Sequence, residues 1–184
     1  MKKLLAALVL ATALAGPLSG CSEESAAKPV PITMTEEAVG HYCQMDVIDH
    51  AGPKAQIHLA GMEKPLWFSQ VSDAVAYLHD PEREAEVRAV YVTDMAKAPS
   101  WGDPGADNWT DADSAVFVID SRQSGGMGTP EAIPFAEKPD AEAFVREKGG
   151  RIVTLTEIPE AYVRSARDAS ATEDAGAGAE PAGM

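Results

Sequence analysis

The chain has 184 residues, with 15 Lys and Arg against 29 Asp and Glu, 45% hydrophobic content and a formal charge of −14; this suits one or two small globular domains and excludes a multidomain enzyme or a membrane bundle. Such a negative field repels a nucleic-acid backbone, so nucleic-acid binding is set aside. Two cysteines and four histidines are too few for a disulfide scaffold or a His-rich metal store, which leaves any chemistry to a few sites.

The chain opens on a leader. Met1-Lys2-Lys3 is a short basic start, and Leu4 to Ala15 is an apolar run too short to span a bilayer. Residues 1–20 read as an export signal ending in Leu18-Ser19-Gly20-Cys21, which resembles the lipobox of bacterial lipoproteins. That resemblance implies that Cys21 is lipidated and becomes the mature N-terminus. Without the leader, 13 basic residues face 29 acidic ones, a mature charge of −16. With Cys21 acylated, Cys43 is the one remaining thiol in an oxidising compartment. A free thiol there serves soft-metal binding or nucleophilic chemistry, or else packs as a small buried hydrophobe.

Residues 21–35 lack a sustained apolar period and read as a tether that holds the domain off the membrane. The first folded unit, residues 36–97, starts with strand-like segments at Tyr42 to Ile48 and Ala55 to Leu59, divided by the turn Asp49-His50-Ala51-Gly52-Pro53. A helix opens at Ser69, carries Val71, Ala74, Val75 and Leu78 at helical spacing, and stops before Pro81. Val87 to Thr93 follows as a strand, so the order is ββαβ.

The second unit, residues 98–164, begins with a loop from Ala98 to Ala112 and repeats that order. Its strands are Ala115 to Ile119 and Ala132 to Phe135; a helix with Pro139 at its start and Gly149-Gly150 at its end follows, and Arg151 to Ile158 closes as a strand. Residues 165–184 are rich in Ala, Gly, Glu and Asp with no aromatic residue, the composition of a disordered acidic tail. The fold class is therefore α+β, two packed ββαβ units between a disordered N-terminal tether and a disordered C-terminal tail.

If the segment from residue 42 to 48 is a strand, His41, Cys43 and Met45 share one face and offer imidazole, thiolate and thioether together. Thiolate with thioether selects Cu(I) over hard cations, whereas structural zinc wants four nitrogen or thiolate ligands. Met45 has a packing reading as well, as a core side chain. Met127 lies in Ser124-Gly125-Gly126-Met127-Gly128-Thr129-Pro130, where glycines let the backbone run close to another element. His50 and His58 read as solvated surface residues, and His79 as a partner for a helix C-terminus.

Several features together resemble one family. They are the lipobox, the acidic mature domain, Cys43-Gln44-Met45 followed by Lys54-Ala55-Gln56-Ile57, and Pro65-Leu66-Trp67-Phe68 before a helix. Tyr91-Val92-Thr93-Asp94, Trp109 and the Gly126-Met127-Gly128 loop complete the set. From about residue 18 to residue 160 the chain resembles NosL, the copper chaperone lipoproteins associated with nitrous-oxide reductase.

The resemblance implies a pair of ββαβ units akin to the organomercurial-lyase fold, with Cu(I) rather than mercury as the metal. It also implies delivery of copper to apo nitrous-oxide reductase for its copper-sulfide centre. The family's Cys-x-Met falls on Cys43 and Met45, and its later Met falls on Met127; the family carries Gly where this chain has Gln44. His41 lies outside that motif and rests on the strand-face argument alone. A periplasmic location through a lipid on Cys21 follows, and Ser22 is compatible with outer-membrane sorting. Two other classes stand beside this one: a thiol-dependent enzyme with Cys43 as nucleophile, and a metal-free structural lipoprotein in which Cys43 and Met45 are packed. Gly-x-Ser-x-Gly, Cys-x-x-Cys and His-Glu-x-x-His are absent from the chain.

Overall fold

The computed structural model describes residues 27–164. The expected export leader, Cys21 and the expected acidic tail from 165 to 184 lie outside the described residues. Strand β1 (Ala55–Leu59) pairs antiparallel with β2 (Leu66–Phe68) on one side and β3 (Val87–Thr93) on the other. Strand β4 (Trp109–Asp111) adds to the far edge of β3, giving a four-stranded sheet in the order β2-β1-β3-β4. Helix α1 (Val71–His79) joins β2 to β3. In the second unit β5 (Val116–Ile119) lies between β6 (Ile133–Phe135) and β7 (Arg151–Val153), and α2 (Lys138–Lys148) joins β6 to β7. The fold is α+β, built from two ββαβ units.

The first unit reaches that order by a different route from the one the sequence predicts. Tyr42 to Ile48 is not a strand. Isolated bridges Val39 with Asp46 and Gly40 with Trp67 flank a tight turn, and Val47–Asp49 is a short 3-10 helix. The second strand of the unit is Leu66–Phe68, after β1 rather than before it. Gln44 has a φ of +55°, and a left-handed residue breaks the alternation on which a strand depends. In the second unit the predicted strand from Arg151 to Ile158 ends at Val153, where Thr154 and Glu157 form a reciprocal capping box around a 3-10 turn. Within the predicted loop from Ala98 to Ala112, Trp109–Asp111 forms the edge strand β4.

A shared core holds the two units together. Ala55, Ile57 and Leu59 of β1, Phe68 of β2 and Val71 and Val75 of α1 pack in one cluster with Phe117, Ile119 and Val153 of the second sheet. Val118, between Phe117 and Ile119, points to the opposite face and packs with Ile133, Phe135, Ala141 and Phe144 around α2, as the period of two requires. Burial of Phe117 and Ile119 alone stabilises the fold by roughly 1.5–3 kcal/mol each.

Every residue of β1 is buried, because residues 28–34 cover its second face. The Gln56 side chain accepts from Ile32 N and donates to Ile32 O, both at 2.9 Å, and Tyr91 Oη donates to Pro29 O at 2.6 Å. Lys28 pairs with Asp111 at the β4 edge, and Met34 is buried against Trp67 and Trp109. The stretch read as tether is fastened to the first sheet from Lys28 onward. His58, read as solvated, is buried with its Nε2 at 2.9 Å from Gln56 Oε1. His79 Nε2 lies 3.3 Å from Ile158 O, bridging the end of α1 to the second unit.

Candidate sulfur site at the junction of the two units

The loop from Gly40 to Met45 closes on itself. Gly40 N donates to Met45 O at 2.8 Å, Gln44 N donates to Gly40 O at 2.9 Å, and Gln44 Nε2 reaches back to His41 O at 2.8 Å. His41 N donates to Trp67 O, which fastens the loop to the outer edge of β2. Gln44 thus takes a backbone conformation that favours glycine, and its own amide side chain offsets part of the cost by bonding the loop carbonyls.

Cys43 is half-buried, with Sγ 3.3 Å from Ser69 Oγ. A Cβ built on Gly40 would lie 2.4 Å from Cys43 Sγ and 3.0 Å from Ser69 Oγ. The thiol fills the space that a side chain at position 40 would take. Met45 stands across the bridge from Gly40 and is 45% exposed. The Cys43 thiol and the Met45 backbone therefore flank the same bare glycine.

His41 does not join them on a common strand face, and that expectation is corrected. Its ring packs against Tyr42, Phe68 and Tyr77, with centroids at 5.1, 5.6 and 5.4 Å. The turn at Gln44 replaces the strand alternation, so residues 41, 43 and 45 are not bound to one direction.

Beneath Cys43 lies a charge that sequence reasoning missed. Lys54 is fully buried, and its Nζ donates to Ala51 O at 3.1 Å, Gly52 O at 2.9 Å and Ser69 O at 3.3 Å. Burial lowers its pKa to about 8, against the opposing pull of Glu131 and of the Cys43 thiolate. Glu131, 1% exposed, accepts at Oε1 from Ser72 N and Ser72 Oγ at 2.8 Å and from Ala132 N at 2.9 Å. The second unit thus supplies the carboxyl that caps α1, whose own N-cap, Gln70, makes no side-chain cap bond. Burial raises the Glu131 pKa to about 7, and its Oε2 is buried with no partner among the described residues. His50 is half-buried with Nε2 likewise unpartnered, and burial together with Lys54 lowers its pKa, opposed by Asp49. No local pattern marks Lys54 or Glu131, because their partners are set by tertiary contacts.

The Gly-rich loop reaches this junction. A Cβ on Gly126 would lie 2.2 Å from Ala51 O, and one on Gly125 would lie 2.5 Å from Gln70 Oε1 and 3.0 Å from Glu131 Oε2. Glycine alone permits both approaches, as the composition of the loop predicts. Met127, between Gly126 and Gly128, is half-buried. The loop touches Gln70 and Ala51 while Cys43 touches Ser69. Both sulfur segments therefore flank one short stretch of the first unit.

Among the described residues no group of three or more His, Cys, Asp or Glu is placed to hold a metal, and no helix is long and apolar enough to cross a membrane. The loop from Gly40 to Met45 carries a thiol and a thioether, donor types suited to soft, monovalent metals. The class so defined is a two-unit α+β protein with a candidate sulfur loop on its first unit.

The NosL family profile matches residues 31–163. The chain belongs to the NosL family. It is 48% identical over 156 residues to the copper-binding lipoprotein NosL of Achromobacter cycloclastes, covering 84% of this chain and 81% of that protein. To the copper-binding lipoprotein NosL of Stutzerimonas stutzeri it is 32% identical over 166 residues, covering 88% and 84%. The crystal structure of the copper chaperone NosL from Shewanella denitrificans superposes with a TM-score of 0.66 at 34% identity, covering 73% of this chain and 98% of that one.

Proposed function

We propose that this protein is an envelope copper carrier that binds one Cu(I) as cargo through Cys43 and Met45, with Met127 as third ligand and His41 as the alternative to it. The observation that carries this reading is the seating of the Cys43 thiol on bare Gly40, opposite half-exposed Met45. The loop that carries both residues is closed by its own hydrogen bonds, and both side chains remain partly exposed to an incoming partner. The names of the relatives, copper-binding lipoproteins and a copper chaperone, support copper as the cargo.

A site of three ligands leaves one direction open for a client's donor, so the ion passes by ligand exchange and is never free. No redox step and no enzymatic turnover is needed. The client is apo nitrous-oxide reductase, which takes the ion for its copper-sulfide centre. A lipid on Cys21 holds the carrier at the periplasmic side of the outer membrane, which confines the search for that client.

Anaerobic Cu(I) titration of the mature protein against a competing chromophoric chelator tests the reading. We expect one ion per chain in the wild type and a loss of at least about a hundredfold in affinity for Cys43→Ser, since the thiolate is the one anionic soft donor. Wild-type affinity in that variant overturns it.

A further inference from the structure

We propose that Lys54 sets the specificity of the Cys43 site, its fixed positive charge admitting a monovalent soft cation and turning away divalent ones. The inference rests on the reading of Cys43 as cargo ligand and adds the device by which that site chooses among metals.

Three observations carry it. First, Nζ points at three carbonyl oxygens, Ala51 O, Gly52 O and Ser69 O. An ammonium has three N–H donors to match them, whereas a neutral amine has two and would turn a lone pair toward one of the carbonyls. The geometry is that of the charged form. Second, among the described residues no carboxylate lies within ion-pair distance of Lys54; Glu131 acts on it only from farther off, with Oε1 spent on Ser72 and Ala132. Third, Lys54 and Cys43 share a neighbour. Ser69 accepts from Nζ at its carbonyl and its hydroxyl lies 3.3 Å from Sγ, so one residue links the ammonium to the sulfur, and a thiolate there acts on Lys54 alongside Glu131.

With the thiolate formed, ammonium and sulfur balance. A Cu(I) or Ag(I) ion on the sulfur leaves one net positive charge at the junction, and Zn(II) or Cu(II) leaves two. The repulsion between Lys54 and the ion scales with the ion's charge, so a divalent ion meets twice the penalty in a poorly solvated setting. His50 also senses Lys54, and exposed Asp49 acts on His50. His50 is held toward its neutral form and adds no charge of its own. Glu131, where ionised, works against Lys54.

The test compares Ag(I) and Zn(II) dissociation constants at neutral pH by chelator competition in the mature wild type, Lys54→Met, Lys54→Arg and Glu131→Gln. We expect the Zn(II) to Ag(I) affinity ratio to rise by on the order of tenfold in Lys54→Met, to stay near wild type in Lys54→Arg, and to fall in Glu131→Gln. A merely structural role for Lys54 would weaken both ions alike and leave the ratio unmoved; that result, with no change of ratio in Glu131→Gln, overturns the proposal. Should Lys54→Met fail to fold, the ratio in Glu131→Gln decides alone. A Cys43→Ser protein that binds Ag(I) as tightly as the wild type would overturn instead the carrier reading beneath it.

Discussion

The Cys43 thiol stands where a side chain on Gly40 would have to be, 2.4 Å from a Cβ built there. Gly40 has no left-handed φ, so alanine suits its backbone and the obstruction falls on the sulfur. Gly40→Ala should therefore keep its fold, with a loss of about 1–3 kcal/mol by urea unfolding, while Cu(I) affinity drops by at least about tenfold through the displaced thiol. Equal affinity in the two proteins would mean that the glycine cradle does not set the position of the ligand.

Position 44 separates backbone strain from ligand chemistry. Its φ of +55° suits glycine, and the Gln44 amide bonds His41 O. Gln44→Gly exchanges those bonds for relief of strain, and the unfolding free energy should move by no more than about 1 kcal/mol. Gln44→Val, a branched side chain in the left-handed region, should cost roughly 2 kcal/mol or more. Thermal melts of the two variants check the contrast; a valine variant as stable as the glycine one would contradict the loop conformation.

The buried pair beneath the site gives stability an unusual dependence on pH. Glu131 has its pKa raised from 4.5 to about 7 in the fold, so its contribution is fully present below about 4.5 and is lost as pH climbs toward 7. Lys54 has its pKa lowered from 10.5 to about 8, so its cost stands below 8 and is relieved as pH rises toward 10.5. Together they place a minimum between about 7 and 8. Urea unfolding across this range should show wild type losing on the order of 3 kcal/mol against Glu131→Gln between pH 4.5 and 7. Parallel curves for the two proteins would remove Glu131 from the account.

His41 and the two methionines should fail in different ways. The His41 ring is enclosed by Tyr42, Phe68 and Tyr77, so His41→Ala should lose about 1–3 kcal/mol of stability and keep most of its Cu(I) affinity. Met45→Ala should lose affinity with little change in stability, since that side chain is nearly half exposed. For Met127, Gly126→Ala is the companion variant: its Cβ would meet Ala51 O at 2.2 Å, lifting the loop without removing the sulfur. If Met127 is the third ligand, Met127→Ala and Gly126→Ala should weaken Cu(I) binding together. A His41→Ala protein that is stable but blind to copper would make the imidazole the ligand instead.

Family and the ββαβ order were legible in the sequence, because the motifs around Cys43-Gln44-Met45, apolar periodicity, and Pro139 and Gly149 at the ends of α2 are local signals. Residues 42–48 misled, since their side chains alternate as a strand does; what overrides that pattern is one left-handed residue tied back by its own amide, and the edge strand that β2 provides at Trp67. Only the tertiary structure turned Lys54 inward, because its three acceptors include Ser69 O, fifteen positions away. Only it set Glu131 on the end of α1, fifty-nine positions from Ser72. Sequence determines which donors exist and which segments fold; the field around the thiol arises where two units meet, and a buried charge takes its partners from whatever the packing brings within reach.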